Sequence, residues 1–198
     1  MSQAPILAPI VEGHGEVHAV RQLISLIGEK HGVWIDVAQP FRLDSGKMRK
    51  PEELGKAIRL QEARVRARKG GVLILRDGDD SDIRCPVRLA SLIAADAGVF
   101  AVPVEVVIAY HEYETWFLAS METLREHPSI RNDATTPPDP EKKRSAKGQL
   151  ESMMNESYKE TLHQAKFSSL IDLVAASEKS RSFRRMVHAV EKLSGLAP

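Results

Sequence analysis

Cysteine is almost missing from this chain: Cys85 is the only one in 198 residues. A single thiol excludes an intramolecular disulfide framework and a zinc site built from several cysteines, and it reads as a half-buried structural side chain. A basic segment followed by a long apolar one is missing from the N-terminus, so no signal peptide is expected. Apolar runs of the roughly 20 residues that span a bilayer are missing as well. Together these absences predict a cytoplasmic protein. No internal repeat is found. The length suits one good-sized domain, or one domain with a helical appendage.

Net charge is also nearly absent, at +1, but the charges are segregated. Residues 42–69 hold ten Lys/Arg against four Asp/Glu, a local net of +6, and residues 76–122 hold three against nine, a local net of −6. Such a pair of stretches fits a metal site beside a polyanion-binding surface, and it fits two solvated faces equally well.

What is present alternates strand and helix. "ILAPIV" (6–11) is a short apolar run that ends at Gly13, and helical spacing begins at Glu16 and stops at "HG" (31–32). "VWIDV" (33–37) reads as a strand, and "PEELGKAIRLQEARVRARK" as a helix with proline and glutamates at its start and basic residues at its end. "GVLILRD" (71–77) has the continuous apolar character of a central parallel strand. A helix over 86–97, with Leu89, Leu92 and Ile93 inward, and a strand over 102–110 follow. Strands separated by helices predict an α/β domain over 1–125 with a mainly parallel sheet flanked by helices. A polar, proline-rich stretch then leads to a C-terminal helical extension over 143–198, packed on or beside the first domain.

Three acidic stretches fall where this reading puts strand ends, the usual ligand edge of an open α/β sheet. They are Glu12 with Glu16 in "VEGHGE"; Asp77, Asp79, Asp80 and Asp82 in "LILRDGDDSD"; and Glu112 with Glu114 in "YHEYETWFLAS". Carboxylates this dense repel one another, and their hard oxygens suit Mg²⁺ or Mn²⁺. Gly78 would let the backbone turn between Asp77 and Asp79. Glycines before a helix N-terminus, at 13 and 15, would let phosphate approach, although the lysine of a P-loop and the spacing of a dinucleotide fingerprint are both missing. His14 could shuttle a proton, touch phosphate or simply be exposed. Trp116 reads as a core anchor rather than a base-stacking platform. The helix bearing Lys56, Arg59, Arg64, Arg66 and Arg68 could neutralise nucleic-acid phosphates or be an ordinary solvated surface.

"VEGHGE" after the first strand and "RDGDD" after a later central strand resemble the Toprim domain of bacterial primases, topoisomerases and overcoming-lysogenization-defect nucleases. With "EYETWFLAS", "YKETLHQAKFSSLIDL" and "SFRRMV", the chain is similar over nearly its whole length to a bacterial Toprim-like family of unknown function, whose members are associated with phage-defence and abortive-infection gene neighbourhoods. The resemblance implies a Toprim/Rossmann-like fold and bound Mg²⁺ or Mn²⁺. Glu12, Asp77, Asp79 and Asp80 would be the metal residues, and Glu12, Glu16, Glu112 and Glu114 the catalytic candidates. The expected activity is a metal-dependent nuclease or phosphodiesterase acting on nucleic acid. The rivals are a non-catalytic module that binds nucleic acid or an operon-encoded protein, and a small-molecule phosphohydrolase. A homo-oligomer is compatible with all three readings.

Overall fold

The run Ile6–Val11 forms the first strand, β1, of the computed structural model, which describes residues 3–79, 85–142 and 145–196. Helix α1 (Glu16–Lys30) follows, then two short strands, β2 (Asp36–Val37) and β3 (Phe41–Arg42), and helices α2 (Ser45–Met48) and α3 (Pro51–Val65). Next come β4 (Gly70–Asp77), α4 (Pro86–Ala97) and β5 (Val104–Ala109). Among the described residues, six helices follow: α5 (Thr115–Leu118), α6 (Met121–Leu124), α7 (Ala146–Ser152), α8 (Glu160–Ser168), α9 (Leu173–Lys179) and α10 (Arg181–Ser194).

All strand pairings are parallel, in the order β2-β1-β4-β5, with β3 also pairing β1. The α/β class with helices flanking a parallel sheet is therefore the observed one. Central β1 and β4 are apolar on both faces because helices cover both. Val11 and Leu75 face a core shared with α1 and α10; Ile10 and Ile74 face a second core shared with α3 and α4. The C-terminal helices thus form one layer of the sandwich: Phe183, Met186 and Val190 of α10 are fully buried against the sheet.

Three expectations need correction. The strand expected over 33–37 shrinks to Asp36–Val37, because Val33 N–H closes the end of α1 on Gly28 O at 2.9 Å. Its continuation, β3, lies past Pro40, which has no N–H to continue the ladder, so β2 and β3 form one interrupted edge beside β1. Leu92, expected inward, is 42% exposed, since the buried stripe of α4 runs through Leu89, Ile93 and Ala97. Cys85, read as half-buried, is exposed just before α4.

Candidate functional site

The chain leaves β1 toward one side of the sheet (β2 and β3) and leaves β4 toward the other (β5), so the order reverses between β1 and β4. Loops diverging at such a point open a crevice at the C-terminal strand ends. Glu12 follows β1 and Asp77 ends β4, on neighbouring strands about 4.8 Å apart. Pleat alternation sends Arg76 toward the α3/α4 face and Asp77 toward the α1/α10 face. Arg76 Nε lies 3.6 Å from Glu12 Oε2.

The end of β5 supplies the third wall. His111 takes a left-handed conformation, φ 64°, and Glu112 N–H closes on Tyr110 O at 3.0 Å. That turn aims Tyr113 N–H at Asp77 Oδ1, 2.8 Å away. It also requires Gly78: a Cβ there would stand 2.7 Å from Ala109 O. Trp116 is fully buried, its indole N–H donating to Ser182 Oγ at 2.9 Å, as a core anchor should be.

Four carboxylates face one another in this crevice. Burial pushes Glu16 up to about 8, its bonds from the Gly13 and Glu12 backbone oppose that rise, and repulsion from Glu12 and Glu114 adds to it. The Glu16 carboxylate also accepts Glu12 N–H at 3.1 Å. Asp77 is raised well above the usual carboxylate range, first by desolvation and then by Glu16, Glu114 and Glu12, with Lys147 opposing. Glu114 is raised by desolvation against the pull of Lys147 and a hydrogen bond from Tyr158. Glu112 stands apart and accepts Lys147 N–H at 2.8 Å. Among the described residues, no three acidic, histidine or cysteine side chains already form a ready-made ligand set.

The last third of the chain contributes residues that the strand-end argument passes over. Glu114 Oε1 accepts Tyr158 O–H at 2.8 Å and Gln164 Nε2–H at 2.9 Å. Lys147 Nζ lies 2.7 Å from Glu160 Oε1; burial alone would lower its proton affinity, but Glu114, Glu160 and Asp77 raise it. Tyr158, Glu160 and Gln164 all fall in "YKETLHQAKFSSLIDL", so that motif was the available signal. Lys147 had none. The same helix overturns the expectation for Gly15. A Cβ there would stand 2.9 Å from the Glu160 backbone and 2.2 Å from Gln164 Oε1, so the glycine admits α8 rather than phosphate.

The remaining predicted residues scatter. Asp79 and His14 are exposed near the crevice, and Asp80 and Asp82 lie outside the described residues. α3 runs back across the sheet, antiparallel to the strands, so its basic residues spread away from the acidic edge. Lys56 pairs with Glu52 and Glu53, near the start of α3. Arg59 makes no ion pair among the described residues. Arg64 donates to Gln39 O at 2.6 Å, Arg66 stands 3.9 Å from Glu62, and Arg68 binds Ala4 O and Asp36. Ala4 precedes β1, which places Arg68 at the opposite edge, about 20 Å from Glu12.

Fold and site define an α/β protein with a carboxylate-lined crevice at the switch point of a parallel sheet. The chain belongs to the family described as a domain of unknown function (DUF4276), which matches residues 11–191. No curated protein and no solved structure matches it.

Proposed function

We propose that this protein is a divalent-metal-dependent nuclease or related phosphodiesterase acting on nucleic acid. The carrying observation is that carboxylates from three separate strand ends meet in one crevice, where burial first and the neighbouring carboxylates second raise the proton affinity of Glu16 and Asp77. Buried anions so arranged gain from a compensating cation. The donors are hard oxygens of the kind Mg²⁺ and Mn²⁺ take, and Glu114 retains a buried oxygen with no hydrogen-bond partner, while Glu12 Oε2 faces only Arg76, at 3.6 Å, among the described residues. The donor chemistry therefore fits. Glu12, Asp77 and Asp79 would hold the ion, in agreement with the Toprim resemblance. Once bound, it would stabilise charge on a phosphoryl oxygen and make a coordinated water more acidic.

The chain's own groups have separable roles. Glu16, at about 8, holds a proton at neutral pH and is placed to give or take one. Tyr158 and Gln164 fix the orientation of Glu114. Lys147 brings positive charge toward Asp77 and Glu114. Lys56 and Arg59 are the basic residues of α3 best placed for backbone phosphates, since Arg68 is committed at the far edge. The gene-neighbourhood association of the resembled family would put such an activity in phage defence.

One observation favours a second reading, a non-catalytic binding module: no ligand set is preformed among the described residues. Calorimetric Mn²⁺ titration of the wild type beside Asp77→Asn separates the two. The nuclease reading expects saturable binding, lost in the variant, with cleavage of single- or double-stranded DNA or RNA reduced about 100-fold or more. Absence of Mn²⁺ binding and of cleavage in the wild type favours the module. Turnover of p-nitrophenyl phosphate with nucleic acids left intact would instead mark a small-molecule phosphohydrolase.

A further inference from the structure

Among the described residues, the outer side of β5 is an open sheet edge. Pro103 and Ala109 aim their carbonyls at the β4 side, accepting Val72 N–H and Gly78 N–H at 2.9 Å each. Strand alternation turns the peptide groups of Val104, Val106 and Ile108 the other way. Tyr110, next in that series, confirms the direction: its N–H donates to Ser182 Oγ of α10 at 3.1 Å. Among the described residues, nothing bonds to the outward groups of Val104, Val106 and Ile108.

This edge floors a groove of about 690 Å³, walled by Ala90 and Ala94 of α4 on one side and by Arg181 and Arg185 of α10 on the other. Val106 and Ile108 are only 6% and 5% exposed, so the strand lies recessed between the helices. Sheets commonly guard a free edge with lysine, proline or a bulge. The outward positions here are Val104, Val106 and Ile108, with no such guard.

We propose that the groove takes one extended segment of a partner protein as an added strand on β5, with small apolar side chains toward α4 and acidic ones toward α10. The recess argues for a single segment. Paired strands lie about 4.8 Å apart, and two copies of this edge could not approach so closely without their helix walls overlapping. Charge selects the sequence. Glu105 is matched by Arg185 and Lys192, and Glu141 accepts bonds from Ser180 and Ser182. Exposed Arg181 has no ion pair among the described residues and is left to meet an acidic side chain. Alternating apolar and acidic residues match the period of two that strand addition demands.

The test uses the full chain and a fluorescein-labelled seven-residue peptide alternating valine and glutamate, followed by anisotropy. Saturable binding is expected, at least tenfold weaker for Arg181→Glu and for a peptide N-methylated at alternate residues, which removes its ladder donors. Ala94→Trp, at an exposed position that fills the groove, should abolish binding with an unchanged melting temperature. Hydrogen exchange should show the Val106 and Ile108 amides slowed by the peptide. Failure of the wild type to bind, or equal binding of the methylated peptide, overturns the proposal. So does a concentration-dependent dimer that Ala94→Trp dissociates, which would give the groove to a second copy.

Discussion

Glu16 concentrates the electrostatics of the crevice in one side chain. Its carboxyl stands at about 8 in the folded chain against an ordinary 4.5. Between those values the folded protein keeps a proton that the unfolded chain loses. The associated stability is full below about pH 4.5 and disappears as pH climbs through about 8. Asp77 and Glu114 are raised too and act with the same sign. In the presence of chelator, unfolding free energies from urea titrations should therefore fall from pH 5 to pH 8.5 by a few kcal/mol, at about 1.4 kcal/mol per unit of pKa separation. Glu16→Gln should remove a large part of that slope; an unchanged slope would mean that Glu16 is not the proton holder. The sequence made Glu12, Asp77 and Glu114 legible because each follows an apolar strand, and strand ends of a parallel sheet share an edge. It did not reveal Lys147, which arrives from a helix with no pattern tying it to the sheet, and "YKETLHQAKFSSLIDL" marked the partners of Glu114 without saying what they touch.

At the scale of elements, α8 is what turns three strand ends into an enclosed site. Its first residue, Glu160, and Gln164 one turn later press against Gly15 at the start of α1. Gly15→Ala inserts a methyl 2.9 Å from backbone that cannot rotate away, so α8 must shift. The expected cost is about 1–3 kcal/mol, read as a lower melting temperature. A second expected effect is local: faster hydrogen exchange across α8 while β1 and β4 stay protected. A variant as stable as the wild type would show that α8 is not docked through this contact. The glycines were legible as positions needing close approach, but not what approaches them. The basic run of α3 shows the same limit. Its composition was plain, yet helix direction carries Arg68 to Ala4, at the edge away from the carboxylates.

For the whole molecule, the α/β class was legible from alternating periodicities, whereas the role of the C-terminal helices was not, because helical stripes do not say what they cover. They cover the sheet: α10 lies under β1, β4 and β5, and Leu7, Leu73 and Phe183 share one core. A chain ending at Pro138 would strip α10 from that sheet face and leave α1 alone to cover it, and it should show no cooperative thermal transition by circular dichroism. A cooperative transition in this fragment would show that the N-terminal part folds alone. Pro138 and Asp139 are both exposed, downstream of the contacts of Thr136 with Met121 and Glu122 and upstream of Glu141, which holds the start of α10. The backbone bond between them carries little of the architecture. Residues 1–138 and 139–198, made as separate chains and mixed, should recover the native near-ultraviolet spectrum as a one-to-one complex. The core shared by the two parts is thus also an interface, able to hold as two molecules what translation delivers as one.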